Sequence, residues 1–291
     1  MYNKKVVPWL FIAPFMIFFL VFKIYPIISA AFYSFYEMKG LNIGSFVGLG
    51  NYSTLMKDSD FIKALINNTK YMIGTMITLI PIPLIFAVML KSKLTKGRKI
   101  YKAILFIPAL TSLVIAAAVF RILLYEGNSG VVNAILGVFG IMPQRWLIDP
   151  SLTLISILLI ATWRWIGVNM VYFATGLTNI SDDLYEAASI DGANIYQQFF
   201  HITIPLLKPI IIFVMTLNLI GGYQLFTEVV TLWGGGRSPG KSALTLAVLL
   251  YRNAFSYFKL GYASTIGFAM ALIILLLSLI QFKFFGFFKK E

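Results

Sequence analysis

Six apolar runs, each at least as long as the roughly 20 residues a helix needs to cross a bilayer, leave this chain little choice of organisation. They lie at 6–35, 69–90, 104–125, 152–177, 206–233 and 262–288. Hydrocarbon offers no hydrogen-bond partners, so a run of this kind hides its backbone polar groups by closing them into a helix. The expectation is an all-α polytopic membrane protein with six transmembrane helices, built as a single transmembrane domain over 1–291. Composition agrees, since 12% of the residues are charged, against about 25% in ordinary soluble domains.

The first run follows Lys4 and Lys5 as a secretory leader would. At about 30 residues it exceeds the 7 to 15 of a leader's apolar core, so it reads as an uncleaved, tilted helix. Lys23 would reach along it toward the interface, and Pro26 would kink it. An even number of spans puts both termini on one side. The basic loop KSKLTKGRK at 91–99 is the densest cluster of positive charge and is hard to translocate. It places that loop and both termini in the cytoplasm, with the lysines and arginines concentrated on that side.

The same composition excludes much chemistry. There is no cysteine and one histidine, which leaves no disulfide, thiolate metal site, zinc cluster or Ser/His/Asp triad. No catalytic residue and no metal ligand is expected. The net charge of +13 reads as flanking charge on membrane spans rather than as a nucleic-acid surface. Gly235 to Ser242, GGRSPGKS, satisfies the pattern G-x-x-x-x-G-K-[ST]. Phosphate binding there needs a helix whose first amides cradle the anion and a later carboxylate for magnesium. After Glu228 the next acid is Glu291, and the orientation puts the loop outside, so it reads as a Gly-rich turn.

The longest cytoplasmic stretch between spans is 178–205, TNISDDLYEAASIDGANIYQQFFHITIP. Asp182 and Asp183 suit an N-cap and a first turn facing the helix dipole. Gly192 then breaks the helix, and a second begins at Ala193 and ends near Pro205, giving two short helices in an L. Ala187, Ala188 and Ala193 offer a surface another protein can approach closely, flanked by the charges of Glu186 and Asp191. The plain alternative is a solvated loop with a helical turn. His201 reads as a polar loop residue.

This stretch, with EAA followed three residues on by glycine and then ITIPLL, resembles the EAA loop of permease subunits of binding-protein-dependent ABC importers. The likeness extends over residues 8–288. FVGLGNYSTLMKDSDFIKALINNTKY from Phe46, GVVNAILGVFG from Gly130, WLIDP from Trp146, WRWIGVNMVYFATGL from Trp163, FTEVVTLWGGG from Phe226 and LLYRNAFSYFKLGYAS from Leu249 are similar, in order, to segments of the maltose-type carbohydrate permeases. They are closer to the first permease of the pair than to its partner. Two departures stand out: Ile180-Ser181 where the family usually has Ile-Pro, and Arg237 after Gly235-Gly236 where it usually has proline.

The resemblance implies a cytoplasmic EAA coupling helix that docks on a separate ATPase, with Glu186, Ala187, Ala188, Asp191, Gly192 and Ala193 as the coupling set. It implies no cofactor in this chain, ATP and magnesium being held by the ATPase. The implied partners are a second permease subunit, two ATPase subunits, an extracytoplasmic solute-binding protein, a carbohydrate substrate and membrane lipid, with no nucleic acid. The implied location is the bacterial cytoplasmic membrane. A sugar path needs rings for the C–H faces and amides or carboxylates for the hydroxyls. Trp163, Trp165, Asn169 and Tyr172 in the fourth span and Asn218, Tyr223, Gln224 and Glu228 in the fifth supply both. Trp163 and Trp165 read equally well as packing or interfacial aromatics, and Arg164 as a structural pairing. Gly221-Gly222 would admit close approach of a ligand or a helix.

Three other classes fit less well, and one of them, a purely structural scaffold, would not need an exposed Ala-rich cytoplasmic elbow. An ion-coupled secondary transporter would carry more intramembrane carboxylates than Glu228 alone, and a membrane enzyme would want the residues this chain lacks.

Overall fold

The computed structural model describes residues 7–40, 42–91, 96–127 and 129–286. The first residue of the first run, the last two of the sixth, and Lys4, Lys5, Lys93, Lys289 and Lys290 lie outside the described residues. Among those described, five helices are long and apolar enough to cross a membrane: Pro8–Tyr33, Ser59–Lys91, Thr153–Thr178, Ile195–Tyr223 and Leu260–Phe284. A bent pair, Arg98–Leu110 with Leu113–Leu123, makes six if it is counted as one span. In chain order the elements are α1 (Val7–Phe19), α2 (Tyr25–Tyr33), β1 (Tyr36–Lys39), β2 (Asn42–Phe46), α3 (Gly50–Lys57), α4 (Ser59–Leu79), α5 (Pro81–Lys91), α6 (Arg98–Leu110), α7 (Leu113–Leu123) and α8 (Val131–Val138). Then follow α9 (Thr153–Thr178), α10 (Asp182–Ile190), α11 (Ile195–Gln198), α12 (Ile204–Tyr223), α13 (Thr227–Leu232), α14 (Leu246–Tyr251) and α15 (Leu260–Phe284).

By contacts the chain divides into two compact units, residues 1–62 with 249–272 and residues 63–248 with 273–291. In the first, α1 and α2 run on as one helix through a π-turn at Leu20–Ile24, closed by the Tyr25 amide on the Leu20 carbonyl. A proline ring collides with the carbonyl four residues back. The wider turn ahead of Pro26 accommodates that ring, so the expected kink takes the form of a π-bulge. The apolar face of this helix is unburied. Beyond it β1 and β2 form a two-stranded antiparallel hairpin. Asn51 ties the strand entry down by donating to the carbonyls of Ser34 (2.9 Å) and Tyr36 (3.0 Å). Tyr262 donates to the Asp58 carboxylate at 2.6 Å.

The second unit is built on α5, α9 and α12, whose Leu84, Ala87, Met170, Phe173, Leu177, Leu207 and Val214 form one apolar cluster. Small residues set the crossings. A methyl on Gly167 would collide with the Leu105 carbonyl of α6, and one on Gly176 would lie 2.7 Å from the Leu207 side chain of α12.

Three run boundaries change. The second run extends N-terminally: α4 starts at Ser59, not at 69, and the 33-residue helix Ser59–Lys91 measures about 50 Å at 1.5 Å per residue. That exceeds the roughly 30 Å of hydrocarbon, so the polar residues at 60–70 sit on a helix that overhangs the bilayer. The third run is not one helix, because it turns through 99° between α6 and α7, with Thr111 and Ser112 extended. The fifth run ends as a helix at Tyr223 and restarts only at Thr227.

Candidate functional site

A cavity of about 390 Å³ opens in the second unit beside the point where α12 unwinds. Its walls come from α4, α9, α12, the first residue of α7 and the start of α13. Six of the eight residues expected to meet substrate line it: Trp165, Asn169, Tyr172, Asn218, Gln224 and Glu228. The other two are placed elsewhere. Tyr223 is 1% exposed, its hydroxyl paired with that of Thr69 at 2.9 Å. Trp163 packs against Phe120, ring centroids 5.4 Å apart, on a face away from the cavity.

Two of these liners, Asn169 and Gln224, are positioned by local backbone needs. Pro83 has no amide to offer the Leu79 carbonyl four residues earlier, and Asn169 fills that role from α9 at 2.9 Å. The bond aligns Asn169 at the cavity wall and repairs the α4–α5 junction at once. Gly221 and Gly222 weaken the last turn of α12, and Gln224 becomes its C-cap. Carbonyls freed at membrane depth are costly unless the protein satisfies them. Asn68, fully buried, donates to the Gly222 carbonyl at 2.7 Å and accepts from the Leu246 amide at 2.8 Å. Thr245 donates to the Leu225 carbonyl at 2.7 Å. The break is therefore a built feature, and it turns Gln224, Thr227 and Glu228 into the cavity.

Sequence reasoning missed Asn68, together with Tyr71 and Thr75, which also line the cavity or hold its rim. The available signal was the polar stretch NNTKY at 67–71, read as part of an outer segment. Asn68→Ala is expected to leave two buried backbone groups unpaired at about 1–3 kcal/mol each. Thermal unfolding of the purified protein should show a drop in midpoint of several degrees.

The residues of the 178–205 stretch form an elbow. Ser181, not Asp182, is the N-cap of α10, accepting from the Asp183 amide; Asp182 and Asp183 occupy the first turn. Gly192, at φ +83°, ends the helix. Its amide bonds Ser189 (3.1 Å), and the Ala193 amide reaches back to Ala188 (2.9 Å), the paired bonds of a Schellman ending. Asn194 and Gln197 then form a reciprocal capping box that starts α11. The second helix does not end near Pro205. It passes through a π-turn, Phe199–Thr203, into α12, the same accommodation of proline seen before Pro26. The two arms are braced by Gln198, which donates to Ser189 Oγ at 2.8 Å, and by the Tyr185–Thr203 hydroxyl pair at 2.9 Å. Glu186, Ala187, Asp191 and Gly192 are exposed, and Ala188 and Ala193 half-buried. His201 is exposed, its Nδ1 3.0 Å from the Gln197 carbonyl.

The GGRSPGKS segment has no phosphate-binding geometry. Pro239–Lys241 is a single 3₁₀ turn with Gly240 and Lys241 both at φ +57°, so no helix N-terminus faces the loop. Arg164 lies in the wall between α9 and the α6–α7 bend, donating to the Thr111 carbonyl, with the Pro108 carbonyl at 3.5 Å.

Residues 71–288 match the family described as binding-protein-dependent transport system inner membrane component. The chain is 45% identical over 290 residues to the arabinooligosaccharides transport system permease protein AraP of Bacillus subtilis, covering 100% of this chain and 92% of that one. It is 35% identical over 277 residues to the lactose transport system permease protein LacF of Rhizobium radiobacter, covering 94% and 92%. Its fold matches, at a TM-score of 0.84 and 24% identity over 99% of both chains, a chain of a bacterial ABC transporter involved in the import of alginate.

Proposed function

Because the chain belongs to the family of binding-protein-dependent transport system inner membrane components, we propose that it forms half of the membrane path of an ATP-driven importer for a sugar or oligosaccharide. The cavity beside the broken end of α12 carries this reading. Trp165 and Tyr172 bring ring faces for the apolar face of a pyranose or furanose, while Asn169, Asn218 and Gln224 bring amides for its hydroxyls. Among the described lining residues the one carboxyl group is that of Glu228, an acceptor for sugar hydroxyls. The names of the relatives above support a sugar.

The remaining machinery belongs to partners: a second permease subunit, two ATPase subunits that hold ATP and magnesium, and an extracytoplasmic solute-binding protein. The exposed elbow, with Glu186, Ala187, Ala188, Asp191, Gly192 and Ala193 at its bend, docks on an ATPase. Since α9 enters the elbow and α12 leaves it, its displacement moves two cavity walls, a rigid-body mode of switching. Both termini and the elbow face the cytoplasm of a bacterial cell membrane, as the basic loop at 91–99 argues.

Reconstituted with those partners, the chain should take up arabinose oligomers or lactose only with ATP. Gln224→Ala should weaken sugar binding by about two- to tenfold, the worth of one hydrogen bond of roughly 0.5–1.5 kcal/mol, while stimulation of ATP hydrolysis by the loaded binding protein persists. A second reading, gradient-driven transport, rests on Glu228, a carboxylate of the kind that couples protons inside membranes. Uptake driven by a proton or sodium gradient through this chain alone would establish it instead.

A further inference from the structure

Of the helices that wall the cavity, α9 and α12 are joined to the elbow by the chain itself, but α4 is not. Its continuation α5 ends at Lys91, against the elbow's first turn. The Lys91 ammonium has three protons and meets three oxygens: Asp182 Oδ1 at 3.0 Å, the Leu177 carbonyl at 3.2 Å and the Ile180 carbonyl at 3.4 Å. It also lies over the Tyr185 ring, 4.8 Å from its centroid. Leu177 is in the last turn of α9 and Ile180 lies just past its end, where carbonyls lack helical partners and a cation is favoured. Asp182 and Tyr185 belong to α10. One side chain thus fastens the end of α5, the end of α9 and the start of the elbow helix at a single point.

We propose that Lys91 is a latch that makes the α4–α5 helix move with the elbow, so that ATPase motion reaches the third cavity wall as well as the two that are chain-linked. Lys91 is a positioning residue: it touches neither sugar nor ATP. The apolar contacts of Leu84, Ala87 and Leu90 and the Asn169 bond to the Leu79 carbonyl hold the α4–α5 helix on the body of α9, but none of them reaches the elbow. The directional bonds at Lys91 tie its last turn to the elbow. Tyr185 extends the connection, since the same residue that receives the cation on its ring face bonds Thr203 at the base of α12 through its hydroxyl. This inference rests on the coupling role given to the elbow above.

The chain has no native cysteine, so Met89→Cys and Leu184→Cys place a unique pair of spin labels on exposed positions of α5 and α10. In the full importer, the distance between them should be single and unchanged between the resting state and one trapped with ADP and vanadate. Lys91→Arg should keep it. Lys91→Met should broaden or shift it in the trapped state, lower uptake at least fivefold and make ATP hydrolysis largely independent of the binding protein. Where Lys91→Met fails to assemble, Asp182→Asn, which leaves the ammonium on its two carbonyls, is read in the same way with a smaller expected loss. A trapped-state distance, uptake and coupling all unchanged in the variant that assembles would overturn the latch. If ATP dependence itself were missing in the unsubstituted importer, the proposed function would fail, and the label distance would still report on the latch.

Discussion

Replacing Gly192 with valine should reduce uptake at least tenfold while the protein still inserts and assembles. The glycine sits at φ +83° with nothing within 4 Å of where a Cβ would project, so space is not the obstacle. The backbone is. An L-residue held in the left-handed region costs about 1–2 kcal/mol, and a β-branched one more. A penalty of that size lowers the population of the native bend by roughly 5- to 30-fold. The Schellman bonds from Gly192 and Ala193 would be lost first. The capping box at Asn194 and Gln197 would survive, so both helices persist but meet at a different angle. Gly192→Asn should recover much of the uptake, since asparagine tolerates this conformation, whereas Gly192→Ala should resemble valine in direction. The measurements are uptake, assembly by size-exclusion chromatography, and ATP hydrolysis with and without the binding protein. Normal uptake by Gly192→Val would remove the bend from the coupling path.

That bend was legible in the sequence because its causes are local. Two aspartates suited to a first turn and a glycine nine residues on carried the reading, while the caps themselves, Ser181 and Asn194, sit one residue from where it put the helix starts. The presence of several long apolar helices was legible for the same reason, since crossing hydrocarbon demands only enough consecutive apolar residues. What could not be read were the breaks inside the runs. The end of α12 at Tyr223 depends on Asn68 and Thr245, which are distant in the sequence. Without knowing that donors await the freed carbonyls, an apolar run reads as continuing. Tyr223 shows the matching limit for side chains: a tyrosine in a span fits a sugar path or a packed core, and only the Thr69 hydroxyl opposite decides. Asn169 belongs to both categories, since the bond it makes to a carbonyl orphaned by Pro83 also sets it at the cavity.

The bend between α6 and α7 gives the sharpest test of this account of broken spans. Thr111 and Ser112 are extended; the Thr111 amide still closes on the Pro108 carbonyl at 3.2 Å, but the Thr111 carbonyl at the bend is left to a side chain, in a region where lipid provides no substitute. Arg164, 9% exposed, reaches across from α9 and donates to the Thr111 carbonyl, with the Pro108 carbonyl and Thr111 Oγ1 each at 3.5 Å. Its Cζ lies 5.2 Å from the centre of the Trp165 ring, a cavity liner. Arg164→Met keeps most of the volume and removes the donor. A hydrogen bond from a charged group is worth about 1.5–3 kcal/mol, and the carbonyl left without a partner adds its own desolvation cost. Substitution should therefore lower the unfolding midpoint by more than Asn68→Ala does and expose the 108–113 segment to proteolysis. Because Gly167 packs directly on the Leu105 backbone, α6 has no room to slide toward α9 in compensation. Arg164→Lys should recover part of the loss, since an ammonium supplies charge and a donor without the planar fork. An Arg164→Met protein as stable and as protease-resistant as the parent, yet defective in uptake, would move this arginine from the scaffold to the sugar path.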